Sequence, residues 1–191
     1  DETGKHARFN YPSLRMLRVV LLASFVALAN AACGFPNGTD VDLHWWQGAT
    51  TGKVTFTYAE PVDETGKHAY PINLKKVAYV KVSLDNEQNE LTAGNLKQDI
   101  KIYAYGGFAG CKWSEQPTFG LLNNLDACTN GVPCPVAMGK QDLLVTLDFT
   151  QFGSIIGLLA NDAPYQIEMK LTDKKSNTYV TLIAQARCLT K

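Results

Sequence analysis

Five cysteines, Cys33, Cys111, Cys128, Cys134 and Cys188, are the residues whose chemistry the sequence constrains most. Cys128-Thr129-Asn130-Gly131-Val132-Pro133-Cys134 carries an Asn-Gly pair, which favours a tight reversal and brings the flanking cysteines within disulfide reach. A bridge closing so short a loop contributes about 2 kcal/mol in the chain-entropy model. An odd number of cysteines leaves one thiol over after two bridges. Metal binding is the rival use of thiols, but the chain has no Cys-x-x-Cys pair, and His44 and His68 have no partner at ligand spacing. Catalytic constellations are equally thin. Gly153-Ser154-Ile155-Ile156-Gly157 does not match the nucleophile elbow, and Cys111 with His44 makes a pair without a third group to orient it. Asp126, Asp142 and Asp148 follow no cation-loop spacing and read as solvated. No catalytic residue, metal or cofactor is therefore expected, and the chain is not expected to be an enzyme.

Asn37-Gly38-Thr39 has a different kind of chemistry, because it is an acceptor sequence for N-glycosylation. A glycan on Asn37 is expected, in an exposed loop ahead of the first strand. Together with the cysteines it implies an oxidising compartment.

The 191 residues carry 18 basic and 18 acidic side chains and are 46% hydrophobic, which excludes a disordered tail and gives no basic surplus for nucleic acid. Met16 to Ala31 has the layout of a secretory signal, with Arg18, an apolar run Val19 to Leu28 and a small-x-small site at Ala29-Asn30-Ala31. That run is too short to cross a bilayer. Upstream, Asp1 to Ala7 repeats Asp63 to Ala69 letter for letter, so residues 1–15 read as an artefactual leader. The expected organisation is leader 1–15, signal 16–31 and one domain over 32–191. The destination is extracellular or the lysosomal lumen.

The elements that must position these groups are strands. From Val41 onward the apolar pattern has period two, broken by turn residues every ten to fifteen positions. Val54, Phe56 and Tyr58 alternate with polar neighbours, as do Ala78, Val80, Val82 and Leu84, then Ile100 and Ile102. Leu143, Val145, Leu147 and Phe149 follow, then Tyr165, Ile167, Met169 and Leu171, and a last strand from Thr178 to Arg187. With Val41 to Trp46 this predicts an all-β antiparallel sandwich of seven to eight strands, with one short helical turn near 119–126.

The inward faces contain almost no polar group, so a gap between the sheets would be dry and would accept an acyl chain or sterol. Sheets packed about 10 Å apart would instead close over the same residues as an ordinary core. The candidate cavity residues are Phe56, Tyr58, Val80, Val82, Ile100, Ile102, Val145, Leu147, Phe149, Ile167 and Met169. Large apolar groups in glycine-punctuated loops supply candidate rim residues: Phe108, Trp113, Phe119, Leu122, Phe152, Ile156 and Leu159. The segment from Phe152 to Leu159, with Phe119 and Leu122 facing it, is expected to border the cavity mouth and touch a membrane.

Cys128-x5-Cys134-Pro135, then Leu158-Leu159-Ala160-Asn161-Asp162-Ala163-Pro164-Tyr165-Gln166-Ile167, then Leu171-Thr172-Asp173-Lys174-Lys175, resemble the ML lipid-recognition domain superfamily. Its members include the Niemann-Pick cholesterol-transfer protein, the lysosomal ganglioside activator and the mite group-two allergens. The resemblance implies an immunoglobulin-like sandwich splayed around one lipid, and no catalysis. The implied function is a secreted protein that encloses a sterol, fatty acid, phospholipid or glycolipid and transfers or presents it. Its partners would be that lipid, a membrane surface met transiently, and a lipid-processing enzyme or receptor. In the family an N-terminal cysteine pairs with one at the start of the final strand, near Val180 here. This chain's last cysteine is at the far end of that strand, so Cys33–Cys188 is the preferred second bridge and Cys111–Cys188 the alternative. A recognition module with a filled core, binding a protein partner through exposed aromatics, is the other reading.

Overall fold

Alternation along the strands is realised as two facing sheets in a computed structural model, which describes residues 33–107 and 110–191. The leader, the signal and Phe108 lie outside the described residues. Ten strands are present among the described residues: β1 (His44–Thr50), β2 (Val54–Val62), β3 (Ile72–Asn73), β4 (Ala78–Asn86), β5 (Leu96–Tyr105), β6 (Trp113–Glu115), β7 (Leu125–Asp126), β8 (Gly139–Leu147), β9 (Ala163–Asp173) and β10 (Thr178–Leu189). The large sheet runs β1-β10-β9-β5-β6, with β3 beside β10 and β7 beside β5; the small sheet runs β2-β4-β8. All pairings are antiparallel except the short one between β10 and β3.

The class matches the expectation, and the details differ. Three strands of two or three residues carry too short a period to be read locally. The first strand starts at His44, leaving Val41 exposed. Around 119–126 there are hydrogen-bonded turns, Leu121 N–H to Thr118 O and Asn123 N–H to Gly120 O, followed by β7. The helical turn lies further on, where a 3-10 turn over Thr150–Phe152 leads into the single α-helical turn α1 (Gly153–Ile156).

Two closures join the sheets at their edges. On one side the Cys128–Cys134 loop, continuous with β7 of the large sheet, docks on β8 of the small one: Thr146 N–H donates to Gly131 O at 2.9 Å. Gly131 has φ +109, and a Cβ there would lie 1.7 Å from Thr146 O, so only glycine seats the loop. On the other side Gln47 of β1 reaches across to β2. Its Nε2 donates to Val54 O at 3.1 Å and its Oε1 accepts from Phe56 N–H at 2.8 Å.

Cys128–Cys134 forms as expected from the Asn-Gly turn, but the second bridge is Cys33–Cys111. Both Cys33–Cys188 and Cys111–Cys188 are corrected by the direction of the Cys188 side chain. Cys188 shares the inward face of β10 with Ala184 and Ala186 and is buried, whereas Cys33 lies against Gly106, at the turn after β5. From Cys33 the chain returns to β10, where Asn37 Nδ2 donates to Gln185 Oε1 at 2.7 Å. Asn37 is exposed, in the turn where the sequon places it.

Burial pushes the Cys188 thiol up to about 12, so it is a poor nucleophile in the folded protein. Non-reducing peptide mapping is expected to recover Cys33 with Cys111 and Cys128 with Cys134. One thiol should react with a maleimide only after denaturant is added. Labelling of the native protein at a comparable rate would contradict the burial.

Candidate functional site

The hydrophobic interior is divided. One cluster gathers Leu74, Ile100, Ile102, Leu122, Phe149, Ile155, Ile156, Leu159, Tyr165 and Met169; another, at the opposite end, gathers Val54, Leu84, Leu91, Leu96, Val132, Val136 and Val180. Val80, Val145, Leu182 and Ala184 belong to neither. They point inward from β4, β8 and β10, yet each is only half-buried. In a filled sandwich, inward side chains lose nearly all their exposure, above all on middle strands such as β4 and β10, which carry Val80, Leu182 and Ala184. Here they face a cavity of about 110 Å³ between the sheets.

Its walls are nearly all apolar. Val80, Val82 and Leu84 come from β4, Leu143, Val145 and Leu147 from β8, Ile167, Met169 and Leu171 from β9, and Val180, Leu182, Ala184 and Ala186 from β10. Leu43 and Trp45 flank it at the β1 edge, Phe56 and Ala59 at β2. Among the polar side chains on the lining are Gln88, Asp173 and Thr178 at one end and Tyr165 at the other. Asp173 is buried at the β9–β10 turn, where it accepts from Lys175 N–H, Ser176 N–H, Ser176 Oγ and Asn89 Nδ2. Burial by itself would raise its carboxyl; the hydrogen bonds outweigh that and hold the pKa below the usual carboxylate value.

Of the expected cavity residues, Phe56, Val80, Val82, Val145, Leu147, Phe149, Ile167 and Met169 line this space. Tyr58 does not. The register between β2 and β4 slips between Phe56 and Tyr58, so the bulge at Thr57 turns Ala59 inward and leaves Tyr58 42% exposed with its hydroxyl on Glu60. Ile100 and Ile102 are packed in the first cluster. Sequence reasoning missed Trp45, Leu182, Ala184 and Cys188, although alternation continued through the first and last strands would have found them.

The rim divides as well. Phe119 is 77% exposed, with Leu121 beside it, and Leu158 is 63% exposed. Leu122, Ile156 and Leu159 are buried, Ile156 at 2%. The expectation that Ile156 lies at a membrane-facing mouth is therefore corrected: α1 turns Ile155 and Ile156 into the first cluster. Trp113 packs at 5.0 Å on Tyr105 and is absent from the cavity.

A second, more open cavity of about 270 Å³ lies where the Cys128–Cys134 loop meets β8. Gln98, Leu122, Asn130, Gly131, Thr146, Asp148 and Phe152 line it, and it shares Leu147 and Phe149 with the first.

No family model matches the chain, and no curated protein matches it. Among solved structures it is similar to a Niemann-Pick type C2 protein from the Japanese carpenter ant, with a TM-score of 0.43 and 10% identity over 76% of this chain and 98% of that one. It is also similar to the C-terminal domain of wzt, with a TM-score of 0.34 and 9% identity over 84% of this chain and 80% of that one. No residue role is carried over from either.

Two outcomes follow from this placement. Ile156→Asp should cost more than about 3 kcal/mol, because the charge would be buried without a partner. Phe119→Asp should cost less than about 0.5 kcal/mol, since Phe119 is exposed and at φ +52, a conformation Asp tolerates. Chemical denaturation of the two variants tests both. For Asp173, a depressed folded pKa means stabilisation present above the unfolded value of about 4 and lost as pH falls through the folded one. The gap in melting temperature between wild type and Asp173→Asn should therefore be widest near neutrality and close under acid; a gap independent of pH would refute the ionised, hydrogen-bonded carboxylate.

Proposed function

We propose that this protein binds a single lipid chain between its two sheets and transfers or presents it, by enclosure and without catalysis. The observation that carries the reading is the incomplete burial of Val80, Val145, Leu182 and Ala184, inward residues that neither core cluster covers. A packing gap of about 110 Å³ costs a protein about 3 kcal/mol in cavity terms, and an apolar occupant recovers it. The volume admits roughly four methylene-sized groups, since an apolar cavity of about 150 Å³ takes one benzene. At about 0.8 kcal/mol each they contribute about 3 kcal/mol, below what association costs. A tail alone is thus marginal, and a usable ligand needs further contacts.

Two other features support the setting. A pair of disulfides suits a secreted or lumenal protein, and among the described residues no helix is long and apolar enough to cross a membrane. Phe119, Leu121 and Leu158 are large apolar side chains exposed on turns, and they are the surface we assign to transient contact with a bilayer, where lipid would be exchanged. A lipid-processing enzyme or receptor is the partner class this role calls for.

Ala184→Phe tests enclosure. Filling an existing gap should leave the melting temperature equal or higher while abolishing uptake of a fluorescent fatty-chain probe, and native mass spectrometry should find copurified lipid on wild type only. In a filled core the same change would overpack and cost about 1–3 kcal/mol. That cost, with no probe bound by wild type, would overturn the reading in favour of a recognition module.

A further inference from the structure

We propose that the second cavity is a headgroup site for a single-chain lipid whose head donates hydrogen bonds, a monoacylglycerol or similarly hydroxyl-headed lipid. This rests on the enclosure reading, since the tail would lie in the cavity between the sheets. The two cavities meet at a common wall, Leu147 and Phe149, the last residue of β8 and the start of the turn after it. A chain passing that wall would carry its head from an apolar space into a polar one.

The polar side brings together Gln98, Asn130, Thr146 and Asp148. Gln98 points inward from β5 and is 1% exposed, flanked on that face by Leu96 and Ile100. Its Nε2 donates to Asn130 O at 3.4 Å, while its Oε1 has no partner among the described residues. A buried amide oxygen left unpaired is costly, so an acceptor kept at the wall of a cavity points to a donor that the ligand supplies. Asp148 stands exposed on the rim with one carboxylate oxygen held by Thr150 N–H and Oγ1. No lysine or arginine lines this cavity, and Asp148 is its one charged residue. Carboxylate and phosphate heads are therefore disfavoured against neutral polyols.

The experiment compares 1-monohexanoylglycerol with hexanoate at neutral pH, by displacement of a fluorescent fatty-chain probe. Wild type should prefer the monoacylglycerol by about tenfold, equivalent to about 1.4 kcal/mol. Gln98→Leu should fold with an equal or higher melting temperature, bind hexanoate as before and lose most of the preference. Asp148→Lys, on the exposed rim, should reverse it by tightening hexanoate. Equal binding of the two lipids by wild type, or a preference unchanged in both variants, would overturn the headgroup site while leaving enclosure intact. Binding of neither lipid by wild type would overturn both.

Discussion

The separation of the two sheets is the constraint from which the rest follows, and it is set at their edges. The Cys128–Cys134 loop is continuous with the large sheet through β7 and rests on the small sheet through the hydrogen bond from Thr146 to Gly131. Opposite it, the Gln47 amide pairs with the β2 backbone at Val54 and Phe56. Both edges are spanned, and a cavity lies between the middle strands. Packing is completed at the two ends, where the clusters around Phe149 and Leu96 form, and is left incomplete between them.

Such an interior needs stability from elsewhere. In the chain-entropy model a bridge across 78 residues, such as Cys33–Cys111, contributes about 4 kcal/mol and the local Cys128–Cys134 bridge about 2. Together these exceed the cavity cost of about 3 kcal/mol. The disulfides therefore offset the cost of the gap relative to the unfolded chain.

The polar groups are distributed with the same economy. Asp173 satisfies the β9–β10 turn and closes one end of the cavity with hydrogen bonds made inside the protein. Gln98 is the exception, an inward amide with one half paired and the other not. Among the described residues, the one buried side-chain oxygen without a hydrogen-bond partner belongs to a residue that lines the second cavity.

Alternation is a local period, so the sequence alone determined which faces of β4, β8 and β9 are apolar: Val80, Val82, Val145, Leu147, Ile167 and Met169 were legible without coordinates. The Asn130-Gly131 turn made the Cys128–Cys134 bridge legible for the same reason, since six residues of chain contain all the geometry it needs. What spans the fold was not legible. A one-residue bulge at Thr57 reversed Tyr58, and the inward turn of Cys188 sent Cys33 to Cys111. A single helical turn buried Ile156 in a segment whose composition suited a surface mouth. The cavity itself belongs to this second group. Identical apolar faces make a filled core at one spacing and leave a cavity at a slightly larger one, and the contacts that join the two sheets connect residues as distant in the chain as Gln47, Val54, Gly131 and Thr146.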